Sequence, residues 1–248
     1  MTVQSNFAPK YLVYGWHIMW QQGLRRYVVL PLLINLLLFS AGLVWAIDNS
    51  PIWVATIMAQ LPSYLQFLTV VIWPLVIITI VMVFALSFTT LATIVASPFN
   101  SILAEQVVYR RAGLTAAPVT LLGLLGDIPR VLVRELQKLV YLLPRLLVVA
   151  LLALLLPVVG QLLWLLFAGW MMTLQYIDYT FDNQRISFSQ MRAELAQQRG
   201  KSVSFGVALV IVASIPLVNL LIMPLAVCAA SALWVDHFRP ATLLSEQQ

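Results

Sequence analysis

The chain has 248 residues, of which 62% are hydrophobic and only 9% charged, with a mean hydropathy of +0.94. A soluble domain carries about 25% charge and about half apolar residues, so no core of this length hides so much apolar surface, and lipid must solvate part of it. One cysteine, Cys228, excludes a disulfide framework and a cysteine-based metal cluster. A net charge of +5 would suggest nucleic acid in a soluble protein, but here the basic residues flank apolar runs, where the positive-inside rule accounts for them. No nucleic-acid partner is expected.

Residues 7–22 interleave Tyr11, Leu12, Tyr14, Trp16, Ile18 and Met19 with a few polar groups, the composition of an interfacial helix in the headgroup layer. Gly23-Leu24-Arg25-Arg26 breaks it and opens a charge-free run, 27–47, with Asn35 and Ser40 as polar side chains. At 1.5 Å per residue this run covers roughly 30 Å, the hydrocarbon thickness, and predicts a retained transmembrane helix rather than a cleaved leader. The stretch 48–66 holds Asp48, Pro51 and Pro62 and no basic residue. A second charge-free run, 67–96, predicts a second crossing, kinked at Pro74. Ser97-Pro98 has the form of a fresh helix start, with a Ser cap and Pro in the first turn. Residues 98–138 hold Glu105, Arg110, Arg111, Asp127, Arg130, Arg134, Glu135 and Lys138 and predict two amphipathic cytoplasmic helices, broken around Gly113 and Pro118.

Two further apolar runs, 139–176 and 203–235, are interrupted by Pro144-Arg145 and Pro157 in the first and by Pro216, Asn219 and Pro224 in the second. Each is too long for one crossing, whereas two crossings need about 40 residues plus a turn. Pro-broken halves suit a helical hairpin that enters the membrane and returns on the same side. Two ordinary tight hairpins across a thin bilayer are the alternative. None of the 14 Lys and Arg lies between residues 27 and 109, so the basic bias predicts both termini and everything from 98 onward inside, hairpins excepted, with 48–66 alone outside. The expected fold is an all-α integral membrane protein in a single membrane domain, 1–248, with two long transmembrane helices and two partly penetrating hairpins.

Gly23-Leu24-Arg25-Arg26 is the strongest local candidate for chemistry. A glycine lets the backbone turn, the following helix start offers unpaired N–H groups, and two guanidiniums supply fork-shaped donors for a tetrahedral oxyanion. Gly-x-Arg alone is a weak motif, and paired arginines equally well anchor a span. Second is Ser97-Pro98-Phe99-Asn100 through Glu105 to Arg110 and Arg111, where a carboxylate among cations can line a vestibule or be an ordinary solvated face. Arg145 sits among apolar residues at a helix start and can snorkel. Asp178 and Asp182, beside Tyr176 and Tyr179, read as an interfacial helix end. His17 and His237 lack ligand-spaced partners, and no nucleotide or zinc motif occurs, so no enzyme activity, catalytic residue, metal or cofactor is expected.

On these residues the sequence resembles the CysZ sulfate permease family of bacterial inner membranes, within the broader etoposide-induced membrane protein family. The carriers are the aromatic N-terminal helix, Gly23-Leu24-Arg25, Ser97-Pro98-Phe99-Asn100 with Leu103-Ala104-Glu105, Ile177-Asp178-Tyr179, and the final Pro-broken hairpin. The resemblance implies a multi-pass homo-oligomer in the inner membrane that takes up sulfate for cysteine biosynthesis. It also implies a sulfate site at Gly23, Leu24 and Arg25 with Arg26 assisting, and Glu105 and Arg110 on the ion pathway. The reading is a permease or channel for sulfate, with sulfite as a second candidate anion. A membrane scaffold or regulator, using 98–138 to bind another protein, is the rival class.

Overall fold

The computed structural model describes residues 8–60, 69–114 and 121–238. Every regular element among them is helical: α1 (Lys10–Met19), α2 (Arg25–Ala59), α3 (Thr69–Ala112), α4 (Leu121–Leu155), α5 (Pro157–Asn183), α6 (Phe188–Gln197), α7 (Arg199–Ala213), α8 (Pro216–Asn219) and α9 (Ile222–His237). The chain divides into two compact units, Met1–Val28 with Asn100–Gln248, and Val29–Phe99.

The unit Val29–Phe99 is built from the long apolar stretches of α2 and α3. Phe39 meets Phe84 and Phe88 with ring centroids 5.7 and 4.8 Å apart, and Asn35 donates to the Ala92 carbonyl at 3.5 Å. Outward-facing Leu37 and Val70 are 69% and 82% exposed, an arrangement that lipid rather than water tolerates. Both helices outrun the sequence expectation. α2 continues beyond Ile47 through Pro51 to Ala59, and α3 passes through Pro98 without the helix start expected at Ser97-Pro98. A proline forfeits one backbone bond and crowds the turn before it. At Pro51 the freed Ile47 carbonyl accepts the Ser50 hydroxyl at 2.9 Å, and the helix persists. The expected break at Gly113 is present, with φ +75°, while Pro118 lies outside the described residues.

The second unit is organised around α9, buried almost throughout from Ile222 to Trp234. Helix α1 lies on it through Tyr11, Leu12, Gly15, Ile18 and Met19, leaving Val13, Trp16 and Trp20 exposed as one aromatic face. Helix α5 packs against α4, α7 and α9. Helices α4 and α5 turn at Leu156-Pro157, and α7 and α9 turn around Pro216, as read from the sequence, but the interruption expected at Pro144-Arg145 is not there: α4 runs unbroken through Pro144.

Among the described residues, three helices are long and apolar enough to cross a membrane: Arg25–Thr56, Pro129–Leu155 and Val158–Asn183. The last two exceed the half-length legs expected from the apolar runs, because α4 and α5 continue without a break into the charged residues on either side. In the described part of α3, Trp73–Phe84 is a shorter apolar stretch.

Where α5 and α7 cross, Gly169 and Gly206 bring two backbones together. A Cβ on Gly206 would collide with the Gly169 carbonyl and stand 2.5 Å from the Thr173 hydroxyl, which itself donates to the Ser202 carbonyl at 2.6 Å. Small residues permit this approach, and an interhelical hydrogen bond fastens it. Gly206→Leu should therefore separate α5 from α7 and destabilise the protein by about 1–3 kcal/mol or more. A melting curve in detergent checks this; a midpoint unchanged from the parent would contradict the packing.

Candidate functional site

Gly23 adopts φ +86°, a left-handed conformation that side-chain-bearing residues rarely hold, and so turns the chain from α1 into α2. Leu24 is fully buried beneath the turn, while Arg25 and Arg26 emerge exposed at the start of α2. The N–H groups of Leu24 and Arg25 both donate to the Gln21 carbonyl, at 3.1 and 3.2 Å. They close the turn, so an anion approaching it meets the guanidiniums first. Arg26 donates to the Tyr27 hydroxyl at 2.8 Å and lies over that ring.

Arg110, at the last turn of α3, donates to the Gln22 carbonyl at 2.7 Å. Its guanidinium fills the space beside Gly23, where an added Cβ would stand 2.7 Å from Arg110 Nη2. Two candidates 87 positions apart are thus brought together, and Arg110 stays exposed with further N–H groups to offer. Glu105 is half-buried on α3, five residues and about 140° around the helix from Arg110, and is engaged by a polar contact of its own.

Beyond Gly113, the charged side chains of Arg134 and Lys138 lie in an interior, not on a solvated face. Arg134 gives Nε and Nη2 to Asp178 at 2.7 Å, with side chains only 8% and 4% exposed. Lys138 reaches the other oxygen of Asp178 at 3.2 Å and Glu135 at 2.6 Å, and Arg130 pairs with Asp182. Three cations and three carboxylates cancel, the condition under which buried ions survive. At the other end, Asp236 of α9 accepts Arg111 at 2.8 and 2.5 Å and Tyr11 at 2.5 Å, tying α3, α1 and α9 together. That hydrogen bond to Asp236, against the opposing effect of burial, raises the Arg111 pKa above its ordinary value.

These pairs escaped the sequence reading, which left Asp178 and Asp182 as an interfacial helix end. A signal was present: Arg130, Arg134 and Lys138 recur every four residues, as do Asp178 and Asp182. Asp178→Asn would leave two buried cations short of a counter-charge and should destabilise by about 3–5 kcal/mol. Glu135→Gln, at a side chain 32% exposed, should cost under about 1 kcal/mol. Thermal unfolding of both variants checks the order; equal losses would refute the neutral cluster.

A family model described as sulfate transporter CysZ/etoposide-induced protein 2.4 matches residues 11–224. The matched span contains the Gly23 turn, Arg110, Glu105 and the α4–α5 hairpin. Because that span covers most of the 248 residues and the helices are those of a membrane protein, the chain belongs to the sulfate transporter CysZ/etoposide-induced protein 2.4 family.

Proposed function

We propose that this protein is a sulfate permease or channel of the bacterial inner membrane, working as a homo-oligomer that supplies sulfur for cysteine biosynthesis, with sulfite as a second anion. The observation that carries the reading is the meeting of Arg110 with the Gly23 turn, beside the exposed Arg25 and Arg26. A dianion is expensive to dehydrate, and several convergent donors must replace its water. Three guanidiniums around a turn that presents little side-chain bulk provide them. Glu105, part-buried on the helix that carries Arg110, tempers that positive potential along the path.

Flux of radiolabelled sulfate into liposomes containing only this protein tests the function, and no flux above empty liposomes would reject it. Glu105→Ala should alter that flux in folded, inserted protein. At the binding step, Arg25→Ala loses a charge-assisted bond of roughly 1.5–3 kcal/mol, or ten- to more than a hundredfold in affinity. Arg25→Lys should recover only part, because the fork is lost. Equilibrium sulfate binding to purified protein is the readout, and parent-like affinity in Arg25→Ala would move the site elsewhere.

The proposed topology places both hairpins on the cytoplasmic side. In a Cys228→Ala background, Val158→Cys and Leu220→Cys, at positions 85% and 69% exposed near the two turns, should resist an impermeant thiol reagent added from the periplasm. Efficient labelling of both would mean full crossings.

A further inference from the structure

Where α4, α5, α6 and the start of α7 meet, two adjoining cavities of about 570 and 550 Å³ share Tyr141, Arg145, Ser189 and Arg192, and the second reaches Arg199. Arg145 lies over the Tyr141 ring, 3.7 Å from its centroid, and donates to the Tyr141 carbonyl at 2.9 Å. Arg192 is held between Tyr141 and Phe188, 4.7 and 5.0 Å from their centroids, and its buried Nε has no hydrogen-bond partner. The Tyr141 hydroxyl accepts the Trp170 indole N–H at 3.1 Å, which fixes the ring beneath both arginines. The ion pairs of the described residues involve none of Arg145, Arg192 and Arg199.

Three guanidiniums around one space, two of them pre-ordered on aromatic faces and one with an unanswered donor, are built for an anion. Stacking holds a guanidinium plane while leaving its edge free for bidentate contact with a phosphate or similar oxyanion. The surroundings select among anions. Helix α4 continues from Arg145 with Leu147, Val148 and Leu151, which are 71%, 59% and 56% exposed. Arg145 lies 11 residues before Leu156 at the hairpin turn, about 16 Å along the helix, or half a hydrocarbon core. An embedded turn therefore sets the arginines at headgroup depth with an apolar wall beneath them.

We propose that this cluster binds the phosphate of an anionic phospholipid, whose acyl chains follow the exposed face of α4. Basic pockets between membrane helices recognise lipid headgroups by the same chemistry. The site is separate from the Gly23 turn, and it rests on the membrane placement of the hairpin, not on the identity of the transported anion.

The full-length protein in neutral detergent is titrated with phosphatidylglycerol, phosphatidylcholine or inorganic phosphate, with bound lipid read by native mass spectrometry. Phosphatidylglycerol should bind at least about tenfold more tightly than phosphatidylcholine, because both carry the phosphodiester but choline adds a cation beside the three guanidiniums. Arg145→Gln with Arg192→Gln should abolish the preference while sulfate binding is retained. Where that double variant does not fold, Arg145→Gln and Arg199→Gln singly, both at exposed positions, should each lower the preference severalfold. Equal binding of the two lipids, or a preference that survives these substitutions, would overturn the proposal. Displacement of phosphatidylglycerol by equimolar inorganic phosphate would overturn it too, by making the cluster a soluble-anion site.

Discussion

The buried pair between Arg134 and Asp178 is the contact on which the rest of its unit depends. Two ions with side chains 8% and 4% exposed tolerate no slip of one helix against the other, because a slip would strand both without water. Arg134 and Asp178 each lie 22 residues from Leu156, and Arg130 and Asp182 each lie 26. The charges therefore enforce the antiparallel register whose midpoint is the α4–α5 turn. Arg134 also donates to the Ile186 carbonyl at 3.1 Å and faces the Phe188 ring. It thereby pins the chain between α5 and α6 and sets Arg192, one turn along α6, against Tyr141. One ion pair fixes a hairpin, a turn and the wall of a cationic cavity.

The same physics divides the basic residues into two groups. Arg111, Arg130, Arg134 and Lys138 are paired with carboxylates and spend their charge on holding helices. Arg26 and Arg110 beside the Gly23 turn, and Arg145 and Arg192 in the cavity, contact backbone carbonyls, hydroxyls or aromatic rings. Such partners orient a guanidinium without neutralising it. The side chains with structural duty are the buried ones, and those with charge to offer reach solvent or cavity.

Apolar length and punctuation made much of this fold legible. The turns at Pro157 and Pro216, the helix end at Gly113 and the break at Gly23 were each visible as a proline or glycine punctuating the chain. Helix continuity was not. Ser97-Pro98 looks like a start in water, where a solvated cap competes with the helix, whereas an apolar setting removes that competitor. At the candidate site, Gly23 and its arginines were readable from local chemistry. The contact between Arg110 and Gln22 was not, since no local pattern records a pairing across 88 positions. Asp178 and Arg134 failed for the same reason. Their spacing was visible, but only folding decides whether a charged stripe meets water or its complement.

Depth along the helix links these observations. Between Arg145 and the turn at Leu156, α4 is charge-free, and about 16 Å of it is half a hydrocarbon core. A fully crossing α4 would hold Arg145 near the bilayer centre, where a guanidinium is costly. The side chain instead reaches back to the Tyr141 carbonyl, one turn away from the tip, the direction in which a helical side chain leans and in which this one would seek headgroups. In the second hairpin, Lys201 meets His237 with Nζ 3.1 Å from Nδ1, and each lies 18 residues from Asn219 at the turn. Both hairpins thus keep polar contacts at the base and leave apolar legs towards the tip. That distribution favours insertion from one side.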